Sequence, residues 1–128
     1  MSNTLEVGKK LVELCRQGKA AEAVNTLYSP KIVSLEVQEN PSGPARVEGL
    51  EAVKSKGEWW VKNHEIHHSE AEGPWPHGDR FIVCFKYEVT PKTGPMAGKR
   101  VHMDEAALYT VKDGKIIQEE FFYSTSGG

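Results

Sequence analysis

The sequence predicts an α+β fold, with three helices placed ahead of a mostly antiparallel sheet. Three observations point there. Apolar residues recur at helical spacing through the first part of the chain, the period drops to two after Asn63, and the second half holds apolar runs of strand length separated by turn signals. Helices segregated beside antiparallel strands define this class.

The elements follow in order. Val7, Leu11, Leu14 and Cys15 lie on one face of a first helix that Gly18 ends. Ala20, Ala23, Val24, Leu27 and Tyr28 give a shorter second helix, closed by Pro30. KIVSLEVQ is rich in β-branched and aliphatic residues and predicts a strand; ENPSGPARVEG, with two prolines and two glycines, predicts a loop. Leu50, Val53, Gly57, Trp60, Val61 and His64 mark the stripe of a third helix. Four antiparallel strands follow, in EIHHSEAEG, RFIVCFKYEVT, KRVHMDEAALYTV and KIIQEEFFYS.

The 128 residues suit one domain, 1–128, with a core of its own. A composition 38% hydrophobic and 27% charged is that of an ordinary globular chain. The formal charge of −2 argues against nucleic acid, which needs a clustered basic surface. No run of 18 apolar residues predicts a membrane span, and the first residues lack the apolar core of a signal peptide. Cys15 and Cys84 both read as reduced core residues. A cytoplasmic protein is expected.

HEIHH, His64 to His68, matches the H-E-x-x-H pattern of zinc peptidases. That pattern needs both histidines one turn apart on a continuous helix. The helical stripe ends near His64, so a helix-to-strand join is expected and no metal site. GPMAGKR, Gly94 to Arg100, has the wrong glycine spacing and no following Ser or Thr for a phosphate loop; it predicts a hairpin connection.

The last hairpin, DEAALYTVKDGKIIQEEFFY, carries the chemistry. A two-residue Asp113-Gly114 turn sets Ala107 opposite Glu120; a three-residue turn of Lys112, Asp113 and Gly114 sets Ala107 opposite Glu119 and Glu105 opposite Phe121. The three-residue turn separates polar from apolar better. One face then holds Met103, Glu105, Ala107, Tyr109, Val111, Ile117, Glu119, Phe121 and Tyr123. The other holds Asp104, Ala106, Leu108, Thr110, Ile116, Gln118, Glu120 and Phe122. A carboxylate on the apolar face must be paired or kept neutral, so Glu105 and Glu119 are expected inside as a close, coupled pair. Each serves equally as a structural acid or a proton carrier. Trp60 and Phe85 read first as core, whereas Tyr87, Tyr109 and Tyr123, whose hydroxyls need partners, read as pocket.

The two opening helices, the EGLEAVKSKGEWW helix and above all YTVKDGKIIQEEFFY resemble the SnoaL-like branch of the nuclear-transport-factor-2-like superfamily, over nearly the whole chain. The resemblance implies a cystatin-like cone, a strongly bent sheet around helices with a pocket at one end. Relatives include polyketide cyclases, ketosteroid isomerase, dehydratases, epoxide hydrolases and pure binding proteins. It also implies chemistry without metal or cofactor, and a homodimer.

Counted from Tyr28, Glu36 resembles the position of the isomerase's general base. The isomerase's oxyanion donors fall near Leu11 and Ala107, neither of which can donate, so that activity is not expected. Plain alternation makes Val33, Leu35 and Val37 the more apolar side of the first strand and leaves Glu36 with Ile32 and Ser34, against an inward Glu36. The favoured function is a small-molecule enzyme with Glu119, Glu105 and Glu36 moving protons on a hydrophobic carbonyl ligand. Tyr28, Trp60, Phe85, Tyr87, Tyr109, Phe121 and Tyr123 would bind that ligand. The competing reading is a non-catalytic binding or assembly domain. The outer sheet face, through Ala106, Leu108, Ile116 and Phe122, is the expected dimer surface.

Overall fold

The structure is a computed structural model and describes residues 3–124. Its elements are α1 (Thr4–Arg16), α2 (Ala20–Leu27), β1 (Tyr28–Leu35), β2 (Arg46–Glu48), α3 (Leu50–Asn63), β3 (His64–His77), β4 (Arg80–Pro91), β5 (Val101–Lys112) and β6 (Lys115–Phe122). Six strands form one mixed sheet in the order β2-β1-β6-β5-β4-β3, curled but unclosed, with the helices packed on its inner face. This is the α+β, cystatin-like architecture expected. All neighbours are antiparallel except β1 and β6, which run parallel.

Several local expectations need correction. Helix α2 stops at Leu27, and Tyr28 and Pro30 belong to β1 rather than to the helix and its end. The loop after β1 contains a short second strand, β2, whose Val47 pairs with Ser34. On α3, Val53 is buried, but Gly57 and Val61 face out. The inward stripe instead passes through Val53, Lys56 and Trp60, an i, i+3, i+7 spacing. Cys84 lies in register with Ala106 and Glu72 on the outer sheet face, half-buried, while its neighbours Val83 and Phe85 enter the core. Alternation within a strand decides this, and Cys84 is not a core residue.

The core joins Val7, Leu11 and Leu14 of α1 to Ile32, Phe81, Val83, Ala107, Tyr109 and Ile116 of the sheet. Helix α1 approaches the strands closely at Gly8, where an added Cβ would stand 2.8 Å from Pro74 Cβ. Arg16 fastens the other end of α1 by donating from Nε to the Ala71 carbonyl at 2.9 Å.

The final hairpin overturns the three-residue turn. Lys112 pairs with Lys115, so Asp113 and Gly114 form a two-residue turn, both with positive φ, 53° and 77°. Val111 pairs with Ile116 but Thr110 pairs with Gln118, leaving Ile117 as the extra residue of a β-bulge. The bulge restores Glu119 to the inner face, which the turn alone would have denied it. The two-residue turn itself sets Ile116 beside inward Val111, so Ile116 leaves the outer face assigned to it and Ile117 leaves the inner one. Ala107 consequently faces Phe121, and Tyr109 faces Glu119.

Helix α3 ends at Asn63, and His64 has extended backbone, φ −136° and ψ 135°. His64 and His68 therefore sit on a strand, not one helical turn apart. His64 Nδ1 lies 2.9 Å from the Trp60 carbonyl, its ring stacked on Trp60, while His68 lies 3.0 Å from Glu70. The GPMAGKR segment is the connection between β4 and β5. No helix among the described residues is long and apolar enough to cross a membrane.

Candidate active site

The inner face of the sheet carries its polar groups in two tiers. The deeper is built by strand register. Ser34 of β1 lies beside Glu119 of β6, and Tyr109 of β5 lies on the other side of Glu119. All three are buried, with Ser34 at 0% and Glu119 at 5% exposure. A carboxyl so placed needs partners. The Tyr28 hydroxyl donates to Glu119 Oε1 in a short hydrogen bond, and Ser34 lies beside Glu119 in register. Burial pushes the Glu119 pKa up, while the Tyr28 and Ser34 hydroxyls and the nearby Lys56 charge pull it back. The Tyr28 and Tyr109 phenols are both raised, first by burial and then by Glu119.

The outer tier lies at the ends of β1, β5 and β6. Glu36 follows β1 and joins Ile32 and Ser34 on the inner side; Val33 and Leu35 turn out despite their greater apolarity. The Tyr123 hydroxyl donates to Glu36 Oε1 at 2.7 Å, and the Lys56 ammonium forms a close ion pair with Glu36 Oε2. Lys56 also donates to Ser34 Oγ at 2.7 Å and stands 5.1 Å from the centre of the Phe121 ring. Ser34 thus links the tiers, accepting from Lys56 and lying beside Glu119. The Tyr123 phenol is raised by burial and by Glu36.

Glu105 completes the outer tier and differs from the other two acids. Its carboxyl has no hydrogen-bond or ion-pair partner among the described residues, and the side chain is half-buried. Burial, with further repulsion from Glu36 and Glu119 that Lys56 only partly offsets, raises its pKa to about 7. Tyr87 is close enough for Glu105 to raise its phenol further, after burial.

Glu105 and Glu119 are not the close pair expected. The bulge moves β6 so that Ala107 and Phe121 stand between them. Glu105 lies four residues along β5 from Tyr109, the partner of Glu119, which is roughly 13 Å of strand. Of the charges acting on Glu105, that of Glu36 is the strongest.

The aromatic candidates divide in the same way. Tyr28, Phe85 and Tyr109 are buried in the core. Trp60, Tyr87, Phe121 and Tyr123 are half-buried around the outer tier, with Trp60 and Tyr87 ring centres 5.9 Å apart and Phe85 and Tyr87 stacked at 6.0 Å. Outside the cluster, a groove of about 550 Å³ between β2 and α3 is lined by Pro44, Val47, Trp59 and Lys56, among others.

Two members of the site, Lys56 and Ser34, were absent from the expected set. The spacing Val53–Lys56–Trp60 carried the signal for Lys56. Ser34 had none beyond its alternation with Ile32 and Glu36.

Among the described residues, no group of three or more His, Cys, Asp or Glu side chains is arranged to hold a metal ion. The arrangement can hold a proton on Glu105 near neutral pH, beside two anchored carboxyls, an ammonium and four half-buried aromatic rings.

The model of the SnoaL-like domain matches residues 2–123. Among solved structures, the chain resembles a Mesorhizobium loti protein assigned as a SnoaL-like polyketide cyclase, with 45% identity, a TM-score of 0.85, and 92% of this chain and 97% of that one covered. It shares its fold with an NTF2-like protein of Burkholderia thailandensis, at 18% identity and TM-score 0.78, covering 97% of this chain and 92% of that one. A Xanthomonas campestris protein of cystatin-like fold is similar at 17% identity and TM-score 0.71, covering 98% and 92%. A search of curated proteins finds no significant match. The chain belongs to the SnoaL-like domain family.

Proposed function

We propose that the chain is an enzyme of acid/base type, acting on a hydrophobic carbonyl compound, with Glu105 as the group that moves the proton. The observation that carries this reading is the contrast among the three acids. Glu119 and Glu36 each accept hydrogen bonds or an ion pair that fix them, whereas Glu105 is half-buried with its carboxyl unengaged. A carboxyl poised near pH 7 is matched to proton transfer at neutral pH, because both its forms are populated. Structural acids have the opposite profile, with their oxygens already used.

The step is simple in its balance. The Glu105 carboxylate takes a proton from the carbon next to the carbonyl, and the C–H electron pair moves toward oxygen to give an enolate. The same carboxyl returns a proton at that or a conjugated carbon. Isomerisation, cyclisation and dehydration all begin this way. Trp60, Tyr87 and Phe121 supply an apolar surface for the ligand, and Tyr123 with Glu36 closes one side. The two free thiols, Cys15 and Cys84, support a cytoplasmic location.

Hydrogen–deuterium exchange at the α-carbon of 1-indanone tests the reading. Exchange followed by NMR in D2O should run well above the buffer rate with the protein and return to it in Glu105→Gln. No acceleration at saturating ketone would overturn the proposal.

A further inference from the structure

We propose that Lys56 supplies the donor that polarises the ligand's carbonyl oxygen, and that the site accordingly takes neutral ketones or aldehydes rather than carboxylates. The inference rests on the proton-transfer reading above and adds the partner that such a step needs. Removing a proton next to a carbonyl places negative charge on oxygen, and a positioned donor there provides much of the stabilisation.

Besides the phenols of Tyr87 and Tyr109, the inner face offers few donors for that task. Leu11 of α1 and Ala107 of β5 are apolar and buried. The phenols of Tyr28 and Tyr123 already donate, to Glu119 and Glu36. The Ser34 hydroxyl accepts from Lys56 and lies beside Glu119. Lys56 is different. An ammonium carries three protons, and among the described residues Lys56 has two polar partners, Ser34 and Glu36. One proton remains for a ligand. The ammonium is within 5.1 Å of the Phe121 ring centre, so a flat molecule lying along Phe121 brings its oxygen to Lys56. Lys56 also lines the groove between β2 and α3.

Charge sets the ligand class. Lys56 is already neutralised by Glu36, and Glu105 and Glu119 bring only further acid to the site. A second anion would face Glu36 across the same ammonium. A neutral carbonyl meets the local positive end of the pair without that repulsion.

The test uses 1-indanone as the neutral probe and 1-indanecarboxylate as an anion of similar shape. Infrared difference spectra give the carbonyl band of bound 1-indanone, and titration gives both affinities. With the unaltered protein the band should lie below its position in hexane, and the carboxylate should bind at least about tenfold more weakly. Lys56→Met should return the band to its hexane position and weaken ketone binding by about tenfold or more. Lys56→Arg, which keeps a cationic donor, should hold the band low and shows that any loss in Lys56→Met is not a folding defect. An unshifted band, a shift that survives Lys56→Met, equal binding of the carboxylate, or no ketone binding would each overturn the proposal. Glu105→Gln separates the two ideas: it should stop α-proton exchange and leave the carbonyl band where it was. A Lys56-dependent band without any exchange would remove the role of Glu105 and leave that of Lys56 standing.

Discussion

The Tyr28 hydroxyl, on the first residue of β1, donates to the carboxyl of Glu119 on β6, 91 residues later in the chain. The contact ties the two strands that run parallel, where a single shift of register would separate the groups. Tyr28→Phe removes the donor and leaves an acid in the core with one hydrogen bond fewer. The expected cost is about 1–3 kcal/mol of stability, measured by urea unfolding at pH 7. Tyr123→Phe, at a half-exposed site, should cost less than Tyr28→Phe in the same assay.

Glu105 makes stability depend on pH in a specific direction. Its folded pKa of about 7 lies above the ordinary value of 4.5, so the folded protein holds this proton after the unfolded chain has lost it. Below pH 4.5 the group contributes no penalty. Stability then falls as pH rises through the window from 4.5 to about 7, and levels off above it. Glu105→Gln abolishes that fall. The variant should gain about 2–3 kcal/mol relative to the parent at pH 8 and little at pH 4, by denaturant unfolding at both pH values.

Activity should separate the acids by their engagement. Glu105→Gln should cut α-proton exchange by about a hundredfold or more. Glu119→Gln should reduce it less, because Glu119 acts through Ser34 and Lys56. Glu120→Gln, on the outer face opposite Leu108, should leave the rate within a factor of about two, the scale of a surface change.

The outer sheet face predicts self-association. Leu35, Glu120, Leu108, Ile82 and Trp75 form one row across five strands, with Phe122, Ala106 and Cys84 beside it. Trp75 at 52% exposure and Phe122 at 49% are large apolar groups to leave in water. An isologous dimer would cover them. Sedimentation at micromolar concentration should give a dimer that Leu108→Glu dissociates; a monomer in the unaltered chain contradicts this.

Much of the architecture was legible because it rests on period and punctuation. The change from helical to alternating spacing after Asn63 matches the end of α3 there, and that alone broke the zinc-peptidase pattern in HEIHH. The final hairpin was harder. Its inner face was assigned correctly from Gln118 onward, with Ile116 and Ile117 exchanged, but through the wrong turn, because a two-residue turn plus a bulge at Ile117 has the same parity as a three-residue turn. No local feature of IIQEE marks the bulge. Its consequence was that Glu105 and Glu119 looked adjacent when Ala107 and Phe121 separate them. Glu36 was obscured for another reason: β1 hides the small, polar Ser34 and the ion-paired Glu36 inside and turns Val33 and Leu35 outward, which reverses the usual sorting. Lys56 was missed because a lysine on a helix is ordinarily solvated, and only its spacing from Val53 and Trp60 suggested otherwise.

The central claim is that Glu105 holds a proton near neutral pH in the free protein. Titration of the side-chain carboxyl 13C resonances by NMR measures it directly, with Glu105→Gln assigning the signal. A Glu105 midpoint near pH 7, well above those of the exposed glutamates, is the expected result. A Glu105 midpoint at the ordinary value near 4.5 would contradict it.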